Sequence, residues 1–126
     1  MSETEQLVLR YIEATFRQYE IVGAVCDAAT AIRAVDQLRQ TQIEMDQLLS
    51  ELSEQPKRAL RKTEVAGYER QTQLRAGIGR NSIYPDGITD EVRAIIEPAV
   101  QEHWRIVGEH SDKYSSLLSR AAWGDR

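Results

Sequence analysis

His103 and His110 are the only histidines in the chain. Seven residues apart on a helix, they turn both imidazoles to one face. Each follows a glutamate, Glu102 and Glu109. An imidazole can ligate a metal or carry a proton near neutral pH. A metal would need at least one further ligand from another helix, such as Glu13, Glu20 or Asp36. Helical zinc hydrolases place their histidines four apart with glutamate after the first. Carboxylate di-iron bundles need Glu-x-x-His on each of two helices. The chain has neither pattern, so the pair reads as packing or surface residues at a seam edge, with no metal and no cofactor assigned. Ser111 and Asp112 beside His110 point to different helix faces and form no triad. Cys26, the single cysteine, has no disulfide partner in its own chain and reads as a small core residue. Gly77-Ile78-Gly79-Arg80 lacks the preceding strand and the Gly-Lys-Ser/Thr ending of a phosphate loop. No catalytic residue is assigned from these groups.

Arg105 precedes His110 with four residues between them. This spacing resembles the Arg-x4-His pattern of the helical RNases known as HEPN domains. The resemblance covers two residues and the helical fold class. It implies an RNase in which Arg105 and His110 act on RNA. The family usually places Asn, Asp or His directly after the arginine, where this chain has Ile106. No aromatic stands two residues beyond His110 either.

The third group is cationic. Net charge is -4, yet residues 57–80 hold seven bases (Lys57, Arg58, Arg61, Lys62, Arg70, Arg75, Arg80) against two acids, Glu64 and Glu69. Both flanks are acidic. Arginine dominates the block, which suits bidentate contacts to carboxylate or phosphate. Three destinations fit such a block: the chain's own acids or a second copy, an acidic protein partner, and nucleic acid. The acidic total charge and the lack of a helix-turn-helix or a base-stacking aromatic cluster weigh against nucleic acid.

These groups ride on helices. From Glu3 to Glu54 there is no proline and one glycine, Gly23, while apolar residues recur every three or four positions. One seam reads Val8, Ile12, Phe16, Tyr19, Val22, Cys26. A second reads Val25, Ala28, Ala29, Ile32, Val35, and a third Leu38, Met45, Leu48, Leu52 with Thr41 between. Either the chain breaks near Gly23–Asp27, with Asp27 as a new N-cap, or one helix shows changing faces to different neighbours. The break is the preferred reading. Pro56 opens the next helix. Residues 77–88 form a loop with Pro85-Asp86-Gly87 as a tight turn, and its Ile78, Ile83, Tyr84 and Ile88 are expected to pack on the bundle. Thr89-Asp90-Glu91 starts the last helix, with a kink or a short helix and then a long one expected at Pro98. Its seam reads Val92, Ile96, Ala99, Val107, Tyr114, Leu117, Ala121, with Trp104 and Leu118 alongside.

The expected fold is all-α: a compact bundle of four to five helices over 3–24, 27–53, 56–76 and 90–122, in one domain spanning 1–126. It has a long N-terminal helical hairpin and a C-terminal helix kinked near Pro98. No apolar run approaches the roughly 18 residues of a membrane span, so no membrane partner is expected. The N-terminal MSETEQL carries two acids and no signal-like segment, and with one cysteine this gives a cytoplasmic expectation. The leading functional expectation is a non-enzymatic protein–protein interaction module: an adaptor, chaperone or inhibitor-like accessory protein. It would present Arg58, Arg61, Lys62, Arg75 and Arg80, with Ile83 and Tyr84 from the loop, to an acidic partner surface. A homodimer burying a second face of 27–53 is a further expectation. The alternatives are the HEPN-like RNase and non-catalytic nucleic-acid binding.

Overall fold

The computed structural model describes residues 2–78 and 82–123. The described residues form helices only: α1 (Glu3–Gly23), α2 (Ala28–Ser53), α3 (Lys57–Arg61), α4 (Glu64–Ala76) and α5 (Asp90–Trp123). The all-α bundle read from periodicity is therefore the fold.

Local chemistry sets the helix ends. The Ser2 hydroxyl accepts from the Glu5 backbone N–H at the start of α1, with Glu3 and Glu5 at the positive end of the helix dipole. The chain breaks after Gly23, as expected. Asp27 caps α2 by accepting from the Thr30 N–H, while the Thr30 hydroxyl accepts from the Asp27 N–H, a reciprocal capping box. This turn exposes Cys26, correcting the core assignment. The Cys26 backbone N–H also bonds to the Thr30 hydroxyl, so the residue belongs to the cap rather than the seam.

The segment expected as one helix over 56–76 is two. The Leu60 carbonyl accepts from both the Thr63 N–H and the Thr63 hydroxyl. Thr63 thereby takes the acceptor that a continuing α-helix would offer to Glu64. In α5 the helix runs on through Pro98. Pro98 is exposed, as is Ala94 one turn earlier, so the carbonyl that proline deprives of a donor faces water.

The helices alternate in direction. α1 runs antiparallel to α2, tied by the Thr4 hydroxyl donating to Gln55 Oε1 at one end and by the Arg17–Glu44 ion pair further along. α5 is antiparallel to α1, with Tyr11 on Tyr114 and Tyr19 on Trp104. Two apolar clusters fill the bundle. The first joins Leu7, Val8, Ile12, Met45, Leu48, Leu52 and Leu60. The second joins Val22, Val25, Ala31, Ala34, Leu38, Ile96 and Val100. Between them lies a polar layer of Gln18, Thr41 and His103, each almost fully buried.

α2 has one continuous inward stripe, Ala31, Ala34, Leu38, Thr41, Met45, Leu48 and Leu52, instead of the two shifting ones read over 25–52. Its alanines let α5 approach closely at Ile96 and Val100. Ile32, read as seam, is 59% exposed.

α4 packs differently from the other long helices. It leans on α1 and makes no extensive contact with α5. Gly67 permits this approach, since a β-carbon there would sit 3.2 Å from Val8 Cγ1 and Ile12 Cδ1 and 3.3 Å from Tyr114 Oη. The Arg70–Glu13 ion pair fixes the next turn.

Candidate functional site

With α4 drawn onto α1 and held off α5, a trough remains between α4 and α5, with α1 as its floor. Its volume is about 610 Å³. The floor carries Tyr11, Thr15, Phe16, Gln18 and Tyr19. One wall carries Glu64, Tyr68, Gln71 and Arg75 of α4, and the other Trp104, Val107, Ser111, Tyr114, Ser115 and Leu118 of α5. Six of the chain's eight aromatic residues line this one space. Two of their contacts set its shape: the Tyr11 and Tyr114 rings lie 4.8 Å apart, tilted, and Tyr19 meets Trp104 edge-on at 5.8 Å.

The polar groups in the trough are mostly neutral donors. Burial, and then the neighbouring Tyr114, raises the Tyr11 phenol far above its ordinary range. Burial and the nearby Glu64 push Tyr114 up to about 12. Both phenols stay protonated across ordinary pH and serve as hydrogen-bond groups, not bases. Among the described residues the Tyr11 hydroxyl, the Gln18 Oε1 and the Nε2 atoms of His103 and His110 are buried without a hydrogen-bond partner. Such orphans are rare in folded proteins and call for an explanation.

The sequence-selected cations described occupy the exposed flank of α3 and α4, whose Tyr68 and Arg75 edge is also the α4 wall of the trough. Arg58, Lys62 and Arg75 are exposed and carry no ion pair among the described residues. Arg61 is exposed, and like Lys57 it interacts within the chain. Arg70, not selected, is the segment's member paired to α1. On α4 the same flank exposes Val65 and Tyr68, each 71% accessible and the most exposed large apolar side chains described.

Ile83 and Tyr84 stand elsewhere. Both are half-buried against the second cluster, and the Arg93 guanidinium stacks over the Tyr84 ring at 4.4 Å. Leu60, between Arg58 and Lys62, belongs to the first cluster at the opposite end of the bundle. The structure therefore does not bring the α3 cations together with Ile83 and Tyr84. Arg80 lies outside the described residues.

The histidines sit within the α2–α5 seam, not at its edge. Gln42 Nε2 donates to His103 Nδ1 at 3.0 Å, leaving the proton on Nε2. Burial first, and then the neighbouring His110, lowers the His103 pKa to about 4. His110 Nδ1 donates to the Ile106 carbonyl at 2.8 Å and turns Nε2 toward Asp46, 3.5 Å away. Arg105 points outward, clamped between Glu102 and Glu109 of its own helix. Its guanidinium and the His110 imidazole thus occupy different surroundings. Of the other ligands considered for a metal, Glu13 pairs with Arg70 and Asp36 with Arg39. Among the described residues no three His, Cys, Asp or Glu side chains converge as a metal-binding set.

Sequence reasoning missed Gln18 and the trough. A signal existed on α5, where Trp104, Ser111, Ser115 and Leu118 recur at helical spacing beside the seam: two large apolar residues separated by two small polar ones. No family model, no curated protein and no solved structure matches the chain.

Proposed function

We propose that the chain is a non-enzymatic protein-interaction module whose partner-facing surface is the outer flank of α3 and α4. The observation that carries this reading is the pairing of exposed Val65 and Tyr68 with Arg58, Lys62 and Arg75, which carry no ion pair among the described residues. Apolar anchors among unpaired cations suit an acidic partner surface that also bears apolar residues. The cations would steer and select the encounter, and burial of Tyr68 and Val65 would supply affinity. In this role Val65 and Tyr68 replace Ile83 and Tyr84, whose side chains already pack on the bundle. No helix described here is long and apolar enough to cross a membrane.

The test is affinity capture with mass spectrometry, comparing the native chain with two variants in parallel. Reversing Arg58, Lys62 and Arg75 to glutamate is expected to release an acidic partner. Reversing Arg10 and Arg33, exposed on α1 and α2, should retain it. A captured set that is identical for both variants removes the support for this surface.

A second reading rests on α2. Ile32 and Ile43 are each 59% exposed, and their spacing of eleven residues puts them on the same outer face. That pair supports self-association through α2.

A further inference from the structure

We propose that the trough between α4 and α5, which shares Tyr68 and Arg75 with the proposed partner surface, binds a planar aromatic small molecule that carries an anionic group. Its volume of about 610 Å³ lies within the roughly 300–1,000 Å³ common for small-molecule sites. Aromatic side chains line floor and walls, so a flat π-system finds ring faces and edges on several sides.

The Tyr11 hydroxyl and the Gln18 Oε1 lie beneath the floor, with no accessible surface for a ligand atom to meet, so the floor offers the ligand ring faces and edges.

Arg75 supplies the preference for an anion. α4 runs parallel to α1, with Gly67 against Val8 and Ile12 and Arg70 against Glu13. That register brings Arg75 level with the Gln18 turn of the floor. Arg75 also lines the trough and makes no ion pair among the described residues. The ligand's anion therefore belongs at the end beside Tyr19 and Trp104.

Anilinonaphthalene sulfonate provides a direct probe, since it combines two flat ring systems and a sulfonate. Calorimetry and fluorescence on the full folded chain should show saturable one-to-one binding. Ser111→Trp, which fills the trough from the α5 wall, should weaken binding by more than about tenfold. Gln47→Trp on the exposed face of α2 should leave it unchanged. Arg75→Gln should weaken it by about tenfold, the loss of one charge-assisted contact to the sulfonate. If Ser111→Trp does not fold, Arg75→Gln carries the test alone, because it changes one exposed side chain. Absent or non-saturating binding, or binding that none of the trough substitutions alters, overturns the site. Arg58 and Lys62 do not line the trough, so loss of a captured partner on reversing these two alone tests the partner surface independently of ligand binding.

Discussion

Acid should destabilise this bundle through His103 before it does so through carboxylates. The ring is 1% exposed, accepts from Gln42 at Nδ1 and has no carboxylate partner among the described residues. On its own helix the neighbouring titratable group is His110, whose positive form would oppose a second charge. The layer facing it is otherwise neutral, Gln18 from α1 and Thr41 from α2. Its pKa is about 4 in the fold against 6.5 ordinarily, so the unfolded chain binds the proton first as pH falls. The contribution of the neutral ring is therefore complete above pH 6.5 and is lost as pH falls toward 4. Each unit of difference is worth about 1.4 kcal/mol, which gives a loss of about 2 kcal/mol at pH 5 and about 3 kcal/mol on the low-pH plateau. A domain of ordinary stability, about 5–15 kcal/mol, would stay folded but respond measurably. Urea unfolding at pH 7, 6 and 5 should show the native chain weakening along this curve. His103→Leu should be shallower by about 2 kcal/mol over the same interval. Asp27 and Glu102, whose pKa values are lowered by bonds to Thr30 and Arg105 respectively, add their losses only at lower pH. Parallel pH profiles for the native chain and His103→Leu would refute the claim that burial of this ring governs the window.

Other perturbations read different parts of the molecule. Gly67→Ala gains about 1 kcal/mol of helix propensity but crowds Val8, Ile12 and Tyr114 together, and a net loss of about 1 kcal/mol is expected in chemical denaturation. Asp27→Ala should lower the melting temperature and fray the start of α2, seen as faster amide exchange at Thr30 and Ala31. Incubation with RNA should give no cleavage, because Arg105 is clamped on the solvent face while His110 is turned inward; cleavage abolished by His110→Ala would establish the RNase reading instead. Under the α2 self-association reading, Ile32→Glu with Ile43→Glu should convert a dimer to a monomer in light scattering.

The fold was legible because its information lies in spacing. Val8, Ile12, Val22, Leu38, Met45, Leu48, Leu52, Ile96 and Ala121 fall on core faces at the intervals that define amphipathic helices. The errors have a common cause: size and polarity were weighed before register. The larger Ile32 displaced Ala31 and Ala34 from the α2 seam, although the alanines keep the heptad spacing and allow close packing. Tyr19 drew attention from Gln18, its buried neighbour, because an amide is seldom expected in a core. His103 and His110 were placed at the seam edge although they continue the heptad of Ile96 and Leu117. The break at Thr63 depends on a hydroxyl returning to the Leu60 carbonyl, a choice that composition does not announce. The basic block was visible. Its division into paired Arg70 and, among the described residues, unpaired Arg58, Lys62 and Arg75 was not, because pairing depends on which helix turn faces Glu13.

Both proposals follow from the placement of α4. A fourth helix packed equally on α1 and α5 would close the bundle, bury Tyr68 and leave no trough. Gly67 prevents that arrangement by letting the α4 backbone settle onto Val8 and Ile12, and the Arg70–Glu13 pair holds the next turn in the same position. α5 then keeps an aromatic wall that α4 does not cover, while α4 keeps an exposed flank with Val65 and Tyr68. A helix attached along one side is also the one most easily displaced, since it buries less apolar surface per turn than α1, α2 or α5. Filling the trough would add the missing contacts between α4 and α5 and restrain α4 against the bundle. Binding in the trough should therefore slow amide exchange in α4 more than in α2, and the partner-facing flank would become more rigid with it. Under both proposals the two sites would be coupled through α4, by as much as its position differs between the bound and unbound states.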